Sequence, residues 1–222
     1  MALAASLAFV VSAYLLGSFS PAYWLVRVRQ GIDLRQYGSG TVGSSNVGEQ
    51  LGRPWMLVSG VADVLKGLVP VLLARWLGLP DGTEILAGLA VIVGHNWPLW
   101  LGFKGGRGLA PTLGVLLALD PRLCFLLLAL MGLSGALKLG GPGGIVGMLV
   151  LAPAALLLQD SIGVVYAGLA LLAIVIVKRL EANRLPLPAD PRARRAVLLR
   201  RVWLDRDVPL DQPWQERQRI DR

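Results

Sequence analysis

The chain has 222 residues, 55% of them hydrophobic and 16% charged, with a net charge of +8 and a mean hydropathy of +0.60. Soluble domains carry about 25% charged residues, so an ordinary soluble domain is excluded. A single cysteine, Cys124, rules out an internal disulfide, and a single histidine, His95, leaves no Cys/His set for a metal cluster.

A bilayer crossing needs about 20 apolar residues. The first apolar run covers residues 3–26, and its basic residues, Arg27 and Arg29, follow it. A secretory signal has the reverse order and a shorter core, so this run reads as a retained span. Further spans are predicted at 55–77, 85–101, 109–119, 121–137, 145–158 and 162–177. The expected fold is all-α and polytopic, with about seven transmembrane helices joined by short Gly-rich re-entrant or cytoplasmic loops. Residues 1–185 form the membrane domain and 186–222 a basic, polar cytoplasmic tail.

Basic loops mark the cytoplasmic side of a membrane protein. Alternate loops carry Arg27, Arg29, Arg35 and Arg53, then Lys104 and Arg107, then Lys138, then the tail from Lys178. The opposite loops carry Arg75 and Arg122 beside Asp81, Glu84, Asp120 and Asp160. The expected topology therefore has the N-terminus outside and the C-terminus inside a cytoplasmic membrane, with every Gly-rich loop facing the cytoplasm. The tail segment "PRARRAVLLRRVW" suits anionic lipid as a basic amphipathic stretch. Nucleic acid is not an expected partner for so short and tethered a segment.

Four stretches carry candidate chemistry. Residues 38–54, "GSGTVGSSNVGEQLGRP", combine glycines with Ser39, Thr41, Ser44 and Ser45, downstream of Arg35. Glycine permits positive φ and close backbone approach, and successive amides form an anion nest. The same pattern also suits a tight re-entrant turn with helix-packing glycines. It is not a nucleotide P-loop, because GxxxxGK[ST] is absent. In "GVADVLKGL", Asp63 and Lys66 share one helix face. Charges in hydrocarbon must be paired or wet, so they form either a structural ion pair or part of a cavity lining. Residues 94–108, "GHNWPLWLGFKGGRG", place His95 near Lys104 and Arg107 among glycines. Trp97, Trp100 and Phe103 there suit interfacial anchoring. Residues 137–147, "LKLGGPGGIVG", offer Lys138 and backbone amides, as a cavity floor or a plain connection.

"GSGTVGSSNV" at 38–47, "DVLKG" at 63–67 and "GHNWPLWLGFKGGRGLAPTLG" at 94–114 together resemble the bacterial glycerol-3-phosphate acyltransferases that use acyl phosphate. The resemblance covers roughly residues 10–185. It implies a seven-helix inner-membrane enzyme of phospholipid synthesis. Such an enzyme moves a fatty acyl group from acyl phosphate to the 1-hydroxyl of glycerol 3-phosphate, giving lysophosphatidate and phosphate. It implies no cofactor and no metal, and a supply of donor from a partner phosphate acyltransferase. By the same resemblance Ser39, His95 and Lys104 are catalytic candidates. Arg35, Gly38, Gly40, Gly43, Asn46, Gly105, Gly106, Arg107 and Gly108 are expected to bind substrate or phosphate, and Asp63, Lys66, Lys138 and Glu181 to line the cavity. The oligomeric state has no signature in the sequence.

The chain departs from the family pattern at four places. Thr41 stands for a usual asparagine, Glu49 for an arginine, Gly141 for a serine and Glu181 for an asparagine. Glu49 is expected to point away from any phosphate, toward a nearby arginine, with Arg53 or Arg184 compensating. A diverged relative acting as a membrane scaffold is the alternative these departures favour. A small-solute transporter shares the Gly- and Pro-broken apolar helices.

Overall fold

The computed structural model describes residues 2–139, 141–209 and 211, and the remainder of the expected tail lies outside them. The described residues form ten α-helices and no strand: α1 (Ala2–Ser18), α2 (Pro21–Gln30), α3 (Ser44–Leu51), α4 (Arg53–Trp76), α5 (Thr83–Asn96), α6 (Leu109–Leu119), α7 (Pro121–Ala136), α8 (Pro142–Leu157), α9 (Ile162–Glu181) and α10 (Pro191–Leu204). Boundaries follow local chemistry. Ser20 caps α2 by accepting from the Tyr23 amide, and Pro21 opens that helix without needing a donor of its own. Asp120 ends α6 and caps α7 in the same way, through the Arg122 amide.

Four apolar stretches are long enough to cross a bilayer: Ala2–Gln30, Arg53–Trp76, Thr83–Leu101 and Ile162–Arg184. The other expected spans are shorter apolar helices, α6 with 11 residues and α7 and α8 with 16 each. The expectation of seven full spans thus becomes four long apolar helices with three shorter apolar partners. The Asp120 cap and the Gly-rich loop before Pro142 cut the middle of the chain into pieces too short for the length rule.

The packing is inside out relative to a soluble protein. Along α4, Leu57, Val61, Leu65, Val69 and Leu72 face outward, while Ser59, Asp63, Lys66 and Gly67 are buried. Exposed leucines and buried charges on one helix suit a lipid surround. Helices meet through small residues, as membrane helices do. Gly67 of α4 lies against the Pro111 carbonyl of α6, and Gly114 of α6 against the Val64 carbonyl of α4. The main apolar core gathers Ile92, Val115, Leu116, Leu127, Met148, Leu151 and Leu171. A smaller one, Ala22, Val26, Leu34 and Val47, sits beneath the first glycine loop.

Candidate active site

The Gly-rich loops and the ends of several helices converge on one cavity of about 800 Å³. Its polar lining comprises Ser39, Thr41, Gly43, Ser44, Ser45 and Glu49 from the first loop and α3, together with Asp63, His95, Arg107, Gly108, Lys138 and Gly141. Its apolar lining includes Met56, Leu57, Leu109, Leu113, Leu128 and Met131.

The first loop is held from within. Asn46 is fully buried, and its Nδ2 donates to the carbonyls of Leu34 (3.2 Å), Tyr37 (3.0 Å) and Thr41 (2.9 Å). Gly38 and Gly40 turn the chain with φ of +54° and +67°, conformations that other residues adopt only with strain. A side chain at Gly38 would also run into Asn46 and Glu49. The loop delivers the Ser39 hydroxyl, 2.9 Å from that of Thr41, to the cavity wall. Arg35 is engaged elsewhere. Its guanidinium grips Asp33, with Nε 2.9 Å from Oδ1, and donates through Nη1 to the Leu101 carbonyl at 2.8 Å. The hydrogen-bonded Arg35 side chain holds the Asp33 carboxyl below its ordinary pKa.

The second loop rests on a buried charged cluster. Lys66 Nζ lies 2.8 Å from Asp63 and donates to the carbonyls of Gly17 (3.2 Å) and Phe19 (3.0 Å), closing the end of α1. His95 Nδ1 stands 3.4 Å from Asp63 Oδ1. The imidazole Nε2 is covered by Gly106, where a side chain would overlap it, and the Gly106 amide donates to the His95 carbonyl at 3.1 Å. Gly105 packs on the carbonyls of His95 and Asn96. These glycines are required by proximity to His95. Arg107 enters the cavity with Nε 2.6 Å from Asp205 and Nη1 3.4 Å from the Lys178 carbonyl. Lys104 is exposed and lies outside the lining.

Electrostatics favour an anion. The N-termini of α3, α6 and α8 open on the cavity at Gly43, Gly108 and Gly141. Their positive dipole ends attract negative charge, although at α8 Pro142 has no amide hydrogen and the Gly143 amide already donates to Ser134 Oγ at 3.0 Å. Glu49 opposes this. It makes no ion pair among the described residues, and burial pushes its carboxyl pKa up.

The family model for glycerol-3-phosphate acyltransferase matches residues 7–186. The chain belongs to the glycerol-3-phosphate acyltransferase family. Glycerol-3-phosphate acyltransferase 4 of Dehalococcoides mccartyi strain CBDB1 is 39% identical over 218 residues, covering 92% of this chain and 90% of that protein. Glycerol-3-phosphate acyltransferase 5 of D. mccartyi strain ATCC BAA-2266 is 35% identical, covering 94% and 93%. The crystal structure of PlsY (YgiH), an integral membrane glycerol 3-phosphate acyltransferase, in its glycerol 3-phosphate form superposes with a TM-score of 0.71 at 30% identity. It covers 80% of this chain and 89% of that one.

In this acyltransferase, Ser39, Gly43, Asp63, His95, Arg107, Gly108 and Lys138 of the expected residues share the cavity. Gly38, Gly40, Asn46, Lys66, Gly105 and Gly106 lie outside the lining and adjoin residues that form it. Arg35, Lys104 and Glu181 are not brought in. Glu181 instead binds Lys178 Nζ at 2.9 Å, which removes it as a source of repulsion. Glu49 does not point away toward an arginine as expected: it lines the cavity. Arg53 and Arg184, expected to compensate, are exposed and outside the lining. The sequence reading missed two features. Asn183, in a left-handed turn with φ of +56°, donates to the carbonyls of Gly40 (3.2 Å) and Gly105 (3.1 Å), bolting the two glycine loops together. Its Oδ1 accepts from Lys178 Nζ at 2.8 Å. The end of α10 and the turn after it also reach the cavity, with Leu204, Asp205 and Arg206. The run "LEANRL" carries one cue to Asn183, since asparagine adopts the left-handed conformation more readily than most residues.

Proposed function

We propose that this cavity is where the acyl group changes hands. The enzyme transfers it from acyl phosphate to glycerol 3-phosphate, giving 1-acylglycerol 3-phosphate and inorganic phosphate. The observation that carries the assignment to this cavity is that three helix N-termini, Arg107 and Lys138 line it together with a set of apolar side chains. Phosphates sit against the amides and cations, and the acyl chain lies along Leu113, Leu128 and Met131. The glycerol oxygen attacks the acyl carbonyl carbon, and the bond from that carbon to the phosphate oxygen breaks. Amides of the glycine loops, the Ser39 hydroxyl and Arg107 oppose the negative charge that builds on the tetrahedral oxygen and the leaving phosphate. Acyl phosphate is already activated, so positioning supplies much of the rate. The proton of the glycerol hydroxyl ends on the departing phosphate. The His95 nitrogens, turned to Asp63 and Gly106, support a positioning role for this ring over that of a free base.

We further propose that the three shorter apolar helices complete a seven-crossing body, with the N-terminus outside and the C-terminus cytoplasmic. Arg107 and Lys138, from two of the basic loops, line the cavity. In the opposite loops the cation Arg122 is bound by Asp120 and Asp160, at 2.7 Å from each, which leaves that side without excess positive charge. Residues 1–185 are the membrane domain and 186–222 the cytoplasmic extension. The test of the activity is phosphate release from acyl phosphate by the purified protein in detergent, with and without glycerol 3-phosphate. Acceptor-dependent release is expected; equal release in both arms overturns the proposal. A cysteine placed at Ser44 and labelled from outside intact cells by an impermeant reagent would overturn the orientation.

A further inference from the structure

We propose that the outer face of α10 is a lipid-docking surface, which seats on the anionic headgroups of the membrane that holds the rest of the chain. The family match ends at residue 186, so α10 lies beyond the matched region. The helix is nonetheless tightly fixed to the body. Arg179, buried in α9, donates to the Val202 carbonyl at 2.6 Å and to the Gly141 carbonyl at 3.0 Å. Arg201, only 2% exposed, donates to the carbonyls of Leu180 (2.9 Å) and Leu185 (3.2 Å) and to Asp207 at 2.8 Å. Buried guanidiniums with this many acceptors hold a segment in one register. A side chain at Gly141 would strike the Leu204 carbonyl, so the end of α10 rests directly on the start of α8.

The fixed register decides which side chains are left outside. Val197 and Arg201, one turn apart, are buried against the body. Arg192, Arg195, Leu199 and Trp203, spaced at helical intervals, form one exposed stripe on the other side. Leu199 is 53% exposed and Trp203 46%. Residues 191–204 hold five arginines and no acid, and Arg192 and Arg195 form no ion pair among the described residues. The stripe also sits at a particular level of the fold. Its helix is bonded to the end of α9 and the start of α8, whose outward sides carry Leu149, Leu169 and Val177. Directly after Val177 the chain turns charged, at Lys178 and Arg179. This is where an apolar flank gives way to headgroups. Arginines beside an exposed leucine and tryptophan suit that boundary, and their charge complements anionic lipid. A protein partner fits less well. A stable interface takes about 800 Å² from each side around an apolar centre, which two apolar side chains do not supply. A bilayer needs no such area, because the spans already hold it beside the helix.

The test uses purified full-length protein in nanodiscs of phosphatidylcholine, alone or mixed with phosphatidylglycerol, loaded with a single copy per disc. Ala196→Cys, on the side of the stripe, carries an environment-sensitive fluorophore. Protein without that substitution corrects for any label on the buried Cys124. Quenching by brominated lipid chains reports a seated helix face, and quenching by aqueous iodide reports a free one. In discs containing phosphatidylglycerol, strong lipid quenching and weak iodide quenching are expected, with more iodide quenching in phosphatidylcholine alone. Arg192→Ala and Arg195→Ala should each lower the ratio of seated to free label about fivefold, and high salt should act in the same direction. Lysine at both positions should keep the face seated. Equal iodide quenching in the two kinds of disc overturns the inference, and so does a double alanine variant that behaves as the wild type. A label shielded from both quenchers would mean that protein covers the face, which overturns it as well. If the alanine variants aggregate, Arg192→Gln and Arg195→Gln take their place under the same criteria. None of these readouts depends on acyl transfer.

Discussion

Asn183 touches both glycine loops, and removing its side chain should separate them. Three hydrogen bonds are at stake: Nδ2 to the carbonyls of Gly40 at 3.2 Å and Gly105 at 3.1 Å, and Lys178 Nζ to Oδ1 at 2.8 Å. Two neutral bonds contribute about 1 kcal/mol each, and one to a charged group about 1.5–3 kcal/mol. Lys178 keeps Glu181 at 2.9 Å, so part of the last contribution survives, and a total of about 2–4 kcal/mol is expected. The backbone must also be considered. Asn183 has φ of +56°, and alanine there would add about 1–2 kcal/mol of left-handed strain, whereas glycine would add none. Asn183→Gly therefore isolates the side chain, and Asn183→Ala measures side chain plus strain. Loops displaced by about 1 Å lower a rate about a hundredfold. We expect that loss in kcat/KM for Asn183→Gly, with a lowered Tm, and a further fall in Tm for Asn183→Ala. The assay is acceptor-dependent phosphate release in detergent beside thermal unfolding of the same samples. If Asn183→Gly keeps kcat/KM within twofold of the wild type, the two glycine loops do not depend on this bridge.

Placement in or out of the cavity sets the other expectations. Arg107→Ala should reduce kcat/KM by about tenfold or more, while the exposed Lys104→Ala should change it less, and steady-state kinetics of the pair decide; a larger loss in the lysine variant would move the phosphate site. Glu49→Gln should lower the KM for a phosphate-bearing substrate, because an acid leaves the anion cavity. Its stability should show the pH signature of a carboxyl raised by burial. The folded wild type holds the proton more tightly than the unfolded chain, so the charged form is disfavoured on folding. The Gln variant's Tm advantage should be small below the ordinary value of 4.5 and grow to a plateau as pH rises past the raised one. A flat difference across that range would contradict the assigned burial. Gly141→Ser should release the C-terminal segment from its contact with Leu204, at a cost of about 1–3 kcal/mol for the overlap, seen as faster proteolysis after α9. Unchanged protease resistance would show that the contact is dispensable.

Much of the site was legible because its signals are local. Glycines with hydroxyls, and glycines with cations, marked two loops of interest, and Ser39, His95 and Arg107 line one cavity although 68 positions separate the first and last of them. The order of apolar helices was also legible, while their lengths were not, since the Asp120 cap and the Gly-Pro opening of α8 shorten helices inside a continuous oily run. Arg35 was misplaced because Asp33, two residues away, captures it in a turn. The same confusion affected the tail. Buried Arg179 and Arg201 look like solvated cations in the sequence, and only the carbonyls they find across the fold reveal them as bolts. No local pattern marks Leu204 as the neighbour of Gly141 or Asn183 as the link between loops, because the partners are contributed by distant parts of the chain.

The tight fit of Gly141 beneath Leu204 also constrains how such a sequence can have arisen. A side chain at 141 and a docked α10 exclude one another. A serine at this position would have to displace the end of α10, so a change at 141 and the docking of the segment depend on each other although more than sixty positions lie between them. Restoring the side chain would disfavour the docked segment, and deleting the segment would leave the space above Gly141 unfilled. Among relatives that share the docked extension, position 141 should accordingly be occupied by glycine.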